Sequence, residues 1–194
     1  MKVFVITLDP LSSHRTHASR PLRAIPDFQK RGHEVYVAAP LVGVAGEIRR
    51  ALDVQGVLPL YDVTATTWGR LILNAYRVAY WGQQWKPEIY LSIGARSATL
   101  AHGSRGATGG YGLSVLVLPA LCYESGSKVG GFIEWRAIHE CDRLITYDAD
   151  FADRLVIDYG ARGGDLTLLT GDESDSLATI CEAYVREPPG FHRG

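Results

Sequence analysis

The chain has 194 residues, of which 46% are hydrophobic, and carries 20 basic against 21 acidic side chains for a formal net charge of −1. That length and hydrophobic share suffice for one sizeable core, so a single domain over residues 1–194 is expected. The balanced charge supplies no basic surface for nucleic acid, and no apolar stretch reaches the roughly 18 residues that a membrane-spanning helix requires.

Residues 3–8 (Val-Phe-Val-Ile-Thr-Leu) are almost continuously apolar and β-branched, the pattern of a strand buried on both faces of a parallel sheet. A polar stretch, Ser12 to Arg20, separates them from a helical pattern over 21–30. Pro26 lies inside that pattern, where a proline costs about 3 kcal/mol, so the helix is either kinked or begins near Pro26. Gly32 stands where a helix C-cap is expected, and 33–40 enter a second strand. Further strands are read at 57–60, 89–93, 114–118, 143–147 and 166–169, with helices near 45–52, 68–85, 95–102, 131–141, 149–159 and 174–187. This alternation predicts an α/β, doubly wound, Rossmann-like domain with a mostly parallel sheet of about seven strands and a carboxyl-terminal helix. The glycine-rich stretch 102–112 lacks the Gly-Lys-Ser/Thr ending of a phosphate loop and joins a helix to a strand, so it reads as a flexible connector.

Ligands of open α/β sheets bind beyond the carboxyl ends of the strands, which directs attention to the segments that follow each strand. After the first comes the loop from Asp9 to Arg20, with His14, Arg15, His17 and Arg20 able to recognise an anion and an imidazole available for proton transfer. The same residues also fit an exposed basic loop. Pro40 ends the second strand. Gly94-Ala95-Arg96-Ser97 follows the fourth strand and opens a helix, whose free N–H groups favour an anion, while Ser97 also suits a capping role. Glu124 follows the fifth strand and could orient or deprotonate a hydroxyl. Asp148 follows the sixth and suits either a ligand contact or a helix cap. No metal is expected, because His14 and His17 have no carboxylate or cysteine at a fitting spacing. No cofactor is expected either.

The aromatic helix 68–85 carries Trp68, Leu71, Ile72, Ala75, Tyr76, Ala79, Tyr80 and Trp85 on one stripe, with Leu73, Val78 and Trp81 widening it beyond a core face. It is expected to bury part of itself and to offer the rest to another chain, as in a homodimer. Cys122, Cys141 and Cys181 are widely spaced and form no Cys-x-x-Cys pair, which fits a reducing cytoplasm. The short apolar run before Asp9-Pro10 is too brief for a signal-peptide core.

Residues 1–40 with Arg31-Gly32-His33-Glu34-Val35, the run 134–146 (Glu-Trp-Arg-Ala-Ile-His-Glu-Cys-Asp-Arg-Leu-Ile-Thr), 153–160 and 166–172 together resemble the amino-terminal half of GT-B glycosyltransferases of the family 4 type. In that family the first Rossmann-like domain binds the acceptor and the second binds a nucleotide sugar through paired glutamates. No such pair follows Asp172. The sequence also departs from the family at three places. Ser12 to His17 replace the glycine-rich turn after the first strand, Val117 to Leu121 occupy the place of a histidine, and Asp148 stands where a serine is usual. The resemblance implies an acceptor-side domain acting in sugar transfer of the hexosyl type, with the donor half supplied by another subunit or a second copy. Its expected ligand is a nucleotide sugar or a phosphorylated small molecule. The alternatives are a non-catalytic module that binds a nucleotide or phosphorylated ligand, and an assembly protein that uses helix 68–85.

Overall fold

The strands follow in chain order as β1 (Lys2–Thr7), β2 (Leu11–Ser12), β3 (Glu34–Val42), β4 (Gly56–Leu60), β5 (Ile89–Ile93), β6 (Leu113–Leu118), β7 (Arg143–Thr146) and β8 (Leu166–Leu168). Between them lie the helices α1 (Ile25–Lys30), α2 (Ala45–Leu52), α3 (Trp68–Trp85), α4 (Ala95–Ala107), α5 (Lys128–Glu140), α6 (Ala149–Ile157) and α7 (Leu177–Arg186). This computed structural model describes residues 1–12, 20–63, 68–118, 128–169 and 177–187.

All strand pairs are parallel, and hydrogen-bonded neighbours run β4-β3-β1-β5-β6-β7-β8. The two-residue β2 continues past β1 and pairs the end of β3 at Leu11↔Leu41 and Ser12↔Val42. The order turns outward in both directions from β1 and β5, so the topological switch point falls between them, in the doubly wound arrangement expected from the sequence.

Because side chains alternate along a strand, β1 sends Val3 and Val5 to one face and Phe4 and Ile6 to the other. The first face packs against α1, α2 and α7 through Ile25, Phe28, Ile48, Leu52, Leu177 and Cys181. The second packs against α3 and α4 through Val78, Leu100 and Ala101, and farther along the sheet against α5 and α6 through Ala137, Ile138 and Leu155. Every residue of β5 is buried, as continuous apolar patterning requires of a central parallel strand.

Pro40 is tolerated in β3 for a specific reason. Glu34 N–H donates to Met1 O, so even-numbered positions of β3 face β1. The last β1 partner is Ala38, and pairing with β2 resumes only at Leu41, so the proline's missing N–H falls where no partner strand lies.

The first helix starts next to Pro26, after a 3₁₀ turn at Arg20–Ala24, and so is not kinked. There the absent N–H of proline is one of those that have no intrahelical acceptor anyway. At the other end Gly32 adopts φ +77°, its N–H donating to Gln29 O (2.9 Å) while His33 N–H donates to Phe28 O (3.0 Å). This closes the helix in a Schellman motif, and the Phe28 and His33 rings pack across it.

Three features differ from expectation. β2 has only two residues and is too short to show a period. α4 runs on to Ala107, so residues 102–107 are helix and only 108–112 connect it to β6. Gly103 and Gly106 each cost about 1 kcal/mol there relative to alanine, which burial of Leu100, Ala101 and Ser104 against neighbouring elements offsets. Ser104 Oγ donates to Val78 O (3.0 Å), and a Cβ at Gly82 would collide with it, so α3 and α4 pack backbone to backbone. The stripe read on α3 is also split: Leu71, Ala75 and Trp85 pack on the core, whereas Ile72, Tyr76 and Tyr80 face outward.

The carboxyl-terminal helix closes the first face. Leu177, Ala178 and Cys181 are buried, Glu182 Oε1 lies 2.7 Å from His33 Nε2, and the Tyr184 and Thr167 hydroxyls are 2.6 Å apart. Deleting residues 175–194 is expected to lower unfolding free energy by more than about 3 kcal/mol, the cost of uncovering this apolar set. Urea denaturation of the shortened chain measures it, and an unchanged midpoint would contradict the role assigned to α7.

Candidate functional site

The register brings the residues that follow the strands to one rim. Thr7 pairs Ile93, Ile93 pairs Val117, Leu118 pairs Thr146, and Thr146 pairs Leu168, so the carboxyl ends of β1, β5, β6, β7 and β8 lie on the same side. Asp9, Pro40, Gly94, Arg96, Ser97 and Asp148 all belong to this carboxyl side. His14, Arg15, His17 and Glu124 lie outside the described residues, as does the side chain of Arg20.

Gly94 sits beside the switch point as the N-cap of α4, with φ 84° and ψ 153°, a conformation essentially reserved for glycine. No heavy atom lies within 4 Å of where its Cβ would be, so backbone geometry and not crowding demands the glycine, and open space remains above it. Gly94 N–H donates to Val117 O (2.9 Å) and Gly94 O accepts from Ser97 and Ala98, which anchors the turn to β6 and to its own helix. The N–H groups of Ala95 and Arg96 stand at the helix start, where no intrahelical acceptor exists. Arg96 is exposed, and no cap hydrogen bond forms from a side chain. Ser97 is therefore not the capping residue. Its Oγ is buried without a hydrogen-bond partner among the described residues, and so is the Oγ of Ser92 in β5. Ser92 escaped the sequence reading, although a hydroxyl in an otherwise apolar strand was its visible signal.

Asp148 caps α6, its Oδ1 accepting from Phe151 N–H (3.2 Å), while its own N–H reaches Thr146 Oγ1 at 3.5 Å. Asp9 is exposed and its N–H donates to Thr7 Oγ1 (3.1 Å). Pro40 is buried.

The opposite, amino-side edge is closed by charge pairs. Lys2 N–H donates to Glu88 Oε2 (2.7 Å), Arg143 pairs Asp165 (2.7 Å), and Asp142 Oδ2 takes both Ser114 N–H and the Arg105 guanidinium, each at 2.8 Å. Here His102 Nδ1 lies 2.9 Å from Glu140 Oε2 and His102 Nε2 lies 3.0 Å from Ser114 Oγ. The connectivity is that of an acyl-transfer triad. Ser114 is fully buried and its N–H is engaged, so the relay acts as a clamp between α4, α5 and β6. Burial holds the His102 pKa below 6.5, which keeps the ring neutral, with Nδ1–H donating to Glu140 and Nε2 accepting from Ser114. Burial raises the Glu140 pKa, but hydrogen bonds from Arg136 and His102 outweigh it and leave the carboxyl lowered. A cleft of about 430 Å³ lies on this edge between Glu140, Cys141, Asp142, Arg162 and Asp165. It is remote from the strand ends where this fold binds ligands, and burial pushes its Cys141 thiol up to about 12, far from reactive. No group of three or more His, Cys, Asp or Glu among the described residues could hold a metal ion, and no described helix is long and apolar enough to cross a membrane.

The fold is a Rossmann-like sheet of the kind that forms one half of a GT-B enzyme. Among solved structures the chain is similar to a lipopolysaccharide outer core galactosyltransferase, WaaB, at 14% identity and a TM-score of 0.64, covering 90% of this chain and 46% of that one. It is similar to the UDP-GlcNAc 2-epimerase of Methanocaldococcus jannaschii at 13% identity and a TM-score of 0.62, covering 97% and 50%. A sucrose-phosphate synthase chain from Thermosynechococcus elongatus aligns at 8% identity and a TM-score of 0.66 over 96% of this chain and 98% of that one. The chain thus spans about half the length of the galactosyltransferase and the epimerase. No family model and no curated protein matches the sequence.

The His102 clamp gives the fold a pH dependence. With a pKa lowered in the folded state, its contribution is fully present above 6.5 and is lost as pH falls through the folded-state value, since the unfolded chain takes up the proton first. Stability is expected to fall as the pH drops below 6.5, and more steeply than in a His102→Gln variant. Urea midpoints across that range measure it, and parallel curves would exclude His102 as the cause.

Proposed function

We propose that this chain is the acceptor-side half of a glycosyltransferase of GT-B type, acting in sugar transfer with a donor-binding half supplied by another subunit. The observation that carries the reading is the match of nearly the whole chain to half of a galactosyltransferase, with its strand ends gathered on one rim. In this reading the N–H groups of Ala95 and Arg96 and the Arg96 guanidinium hold an anionic group of the acceptor or donor. Gly94 admits it to the backbone. Asp9, Pro40 and Asp148 lie on the same rim, and Arg15 and Arg20 are assigned ligand contacts from the sequence. His14, His17 or Glu124 takes the proton from the acceptor hydroxyl as its oxygen bonds to the anomeric carbon and the nucleotide departs with the electron pair.

The runner-up is a module that binds a nucleotide or phosphorylated ligand without transfer, which the open turn at Gly94 would serve equally. Both readings place the protein among those that recognise nucleotide sugars or sugar phosphates, as one neighbour described as bound to UDP-GlcNAc does.

Calorimetric titration with a panel of nucleotide sugars and sugar phosphates, with and without a candidate donor subunit, tests the proposal. Saturable binding is expected, weakened at least about 10-fold, or 1.4 kcal/mol, by Arg96→Ala and by Gly94→Ala. Transfer product should form only with the partner. Binding without product in every combination selects the runner-up, and no binding at all overturns both.

A further inference from the structure

The outward face of α3 exposes a run of apolar and aromatic side chains. Ile72, Leu73, Tyr76, Tyr80 and Trp81 are 55%, 51%, 74%, 58% and 37% exposed. With aromatic side chains burying about 150–250 Å² each, they leave on the order of 500 Å² of side chain in water. That approaches the upper end of the largest apolar patch on a typical monomer, about 300–600 Å². One end of the patch is rigid. Tyr80 packs edge-on against Trp81 (5.7 Å), Trp81 against Trp85 (5.0 Å), and Trp85 edge-on against the core residue Phe4 (5.0 Å). Tyr80 and Trp81 are therefore held in place before any partner arrives, which reduces the entropy lost on binding.

We infer that this face takes a second copy of the chain, with the two α3 helices antiparallel across a two-fold axis between Tyr76 and Arg77. The sequence of the face is arranged about that point. Ile72 and Leu73 lie on one side and Trp81 and Tyr80 lie at the same spacing on the other, so an isologous pairing sets an aliphatic pair against an aromatic pair twice over. The helix carries no acidic side chain to be desolvated. The Arg77 guanidinium is drawn over the Tyr61 ring of its own chain, 5.4 Å from the centroid, leaving Tyr76 at the axis. Five side chains supply most of the roughly 800 Å² per partner of a standard interface, and the remaining outward residues of the helix can complete it. A lipid surface fits less well. Such helices are rich in Lys and Arg on their polar face, whereas α3 has only Arg70 and Arg77, and Arg70 is tied to Asp62 O (3.1 Å).

Sedimentation of the full chain over micromolar to hundred-micromolar concentration should show a monomer–dimer equilibrium. Tyr76→Arg should weaken it at least about 30-fold, the effect of losing a central hot spot, with an unchanged melting temperature at concentrations where both proteins are monomeric, because the side chain is exposed in the monomer. Under mild oxidation Tyr76→Cys should cross-link to itself above the wild-type background. Gly69→Cys should not, because an antiparallel pair holds those positions about 20 Å apart. A strictly monomeric wild type overturns the inference, as does a dimer indifferent to Tyr76→Arg, which would point to another face such as Phe132 and Trp135. Cross-linking at both positions overturns the antiparallel axis. A monomer that sediments with phosphatidylglycerol vesicles assigns the face to a membrane.

Discussion

A parallel strand cannot be joined to its neighbour by a tight turn, so each pair in this sheet requires a crossover over one face. Crossovers of a single hand cover both faces with helices and bring every chain reversal of one type to one rim. That constraint explains why the central strands are apolar throughout, why Val3 and Phe4 are equally buried though they point oppositely, and why the turn at Gly94 neighbours the end of β1.

The two rims solve different problems. On the amino side, helix C-termini arrive with Arg105 and His139, and strand starts arrive with N–H groups to satisfy, so side-chain pairs such as Asp142 with Arg105 and Ser114 finish the backbone bonding there. The polar atoms of that edge are consumed by the fold. On the carboxyl side, the α4 N-terminus has no side-chain cap and the turn at Gly94 takes a backbone conformation open only to glycine, whereas Asp148 caps α6. The two edges therefore differ in how completely the protein's own groups finish the backbone bonding.

Much of this was legible in the residues. Strands with continuous β-branched runs and the helix stop at Gly32 follow from local chemistry alone. The end of α4 did not, because Gly103 and Gly106 have low helical propensity and are kept helical by packing against α3, which is a tertiary effect. The two-residue β2 exists only as a partner for β3 and has no period of its own. The α3 stripe was visible as too wide, but which of its edges is buried depends on Gly82 and Ser104 bringing two backbones close, a contact between residues 22 positions apart. At the site, the strand-end position of Gly94 and Arg96 was readable from topology, whereas the unpaired state of Ser92 could be seen only once its neighbours were in place.

Cys181 lies on α7 with no solvent exposure, and burial raises its thiol pKa far above that of a free cysteine. A sulfur so placed is inert to alkylating reagents while the helix is docked, since neither the thiolate nor a path to it is available. Its reaction rate is thus a direct gauge of how often the last helix lifts off the sheet, an internal chronometer of terminal opening that requires no added label.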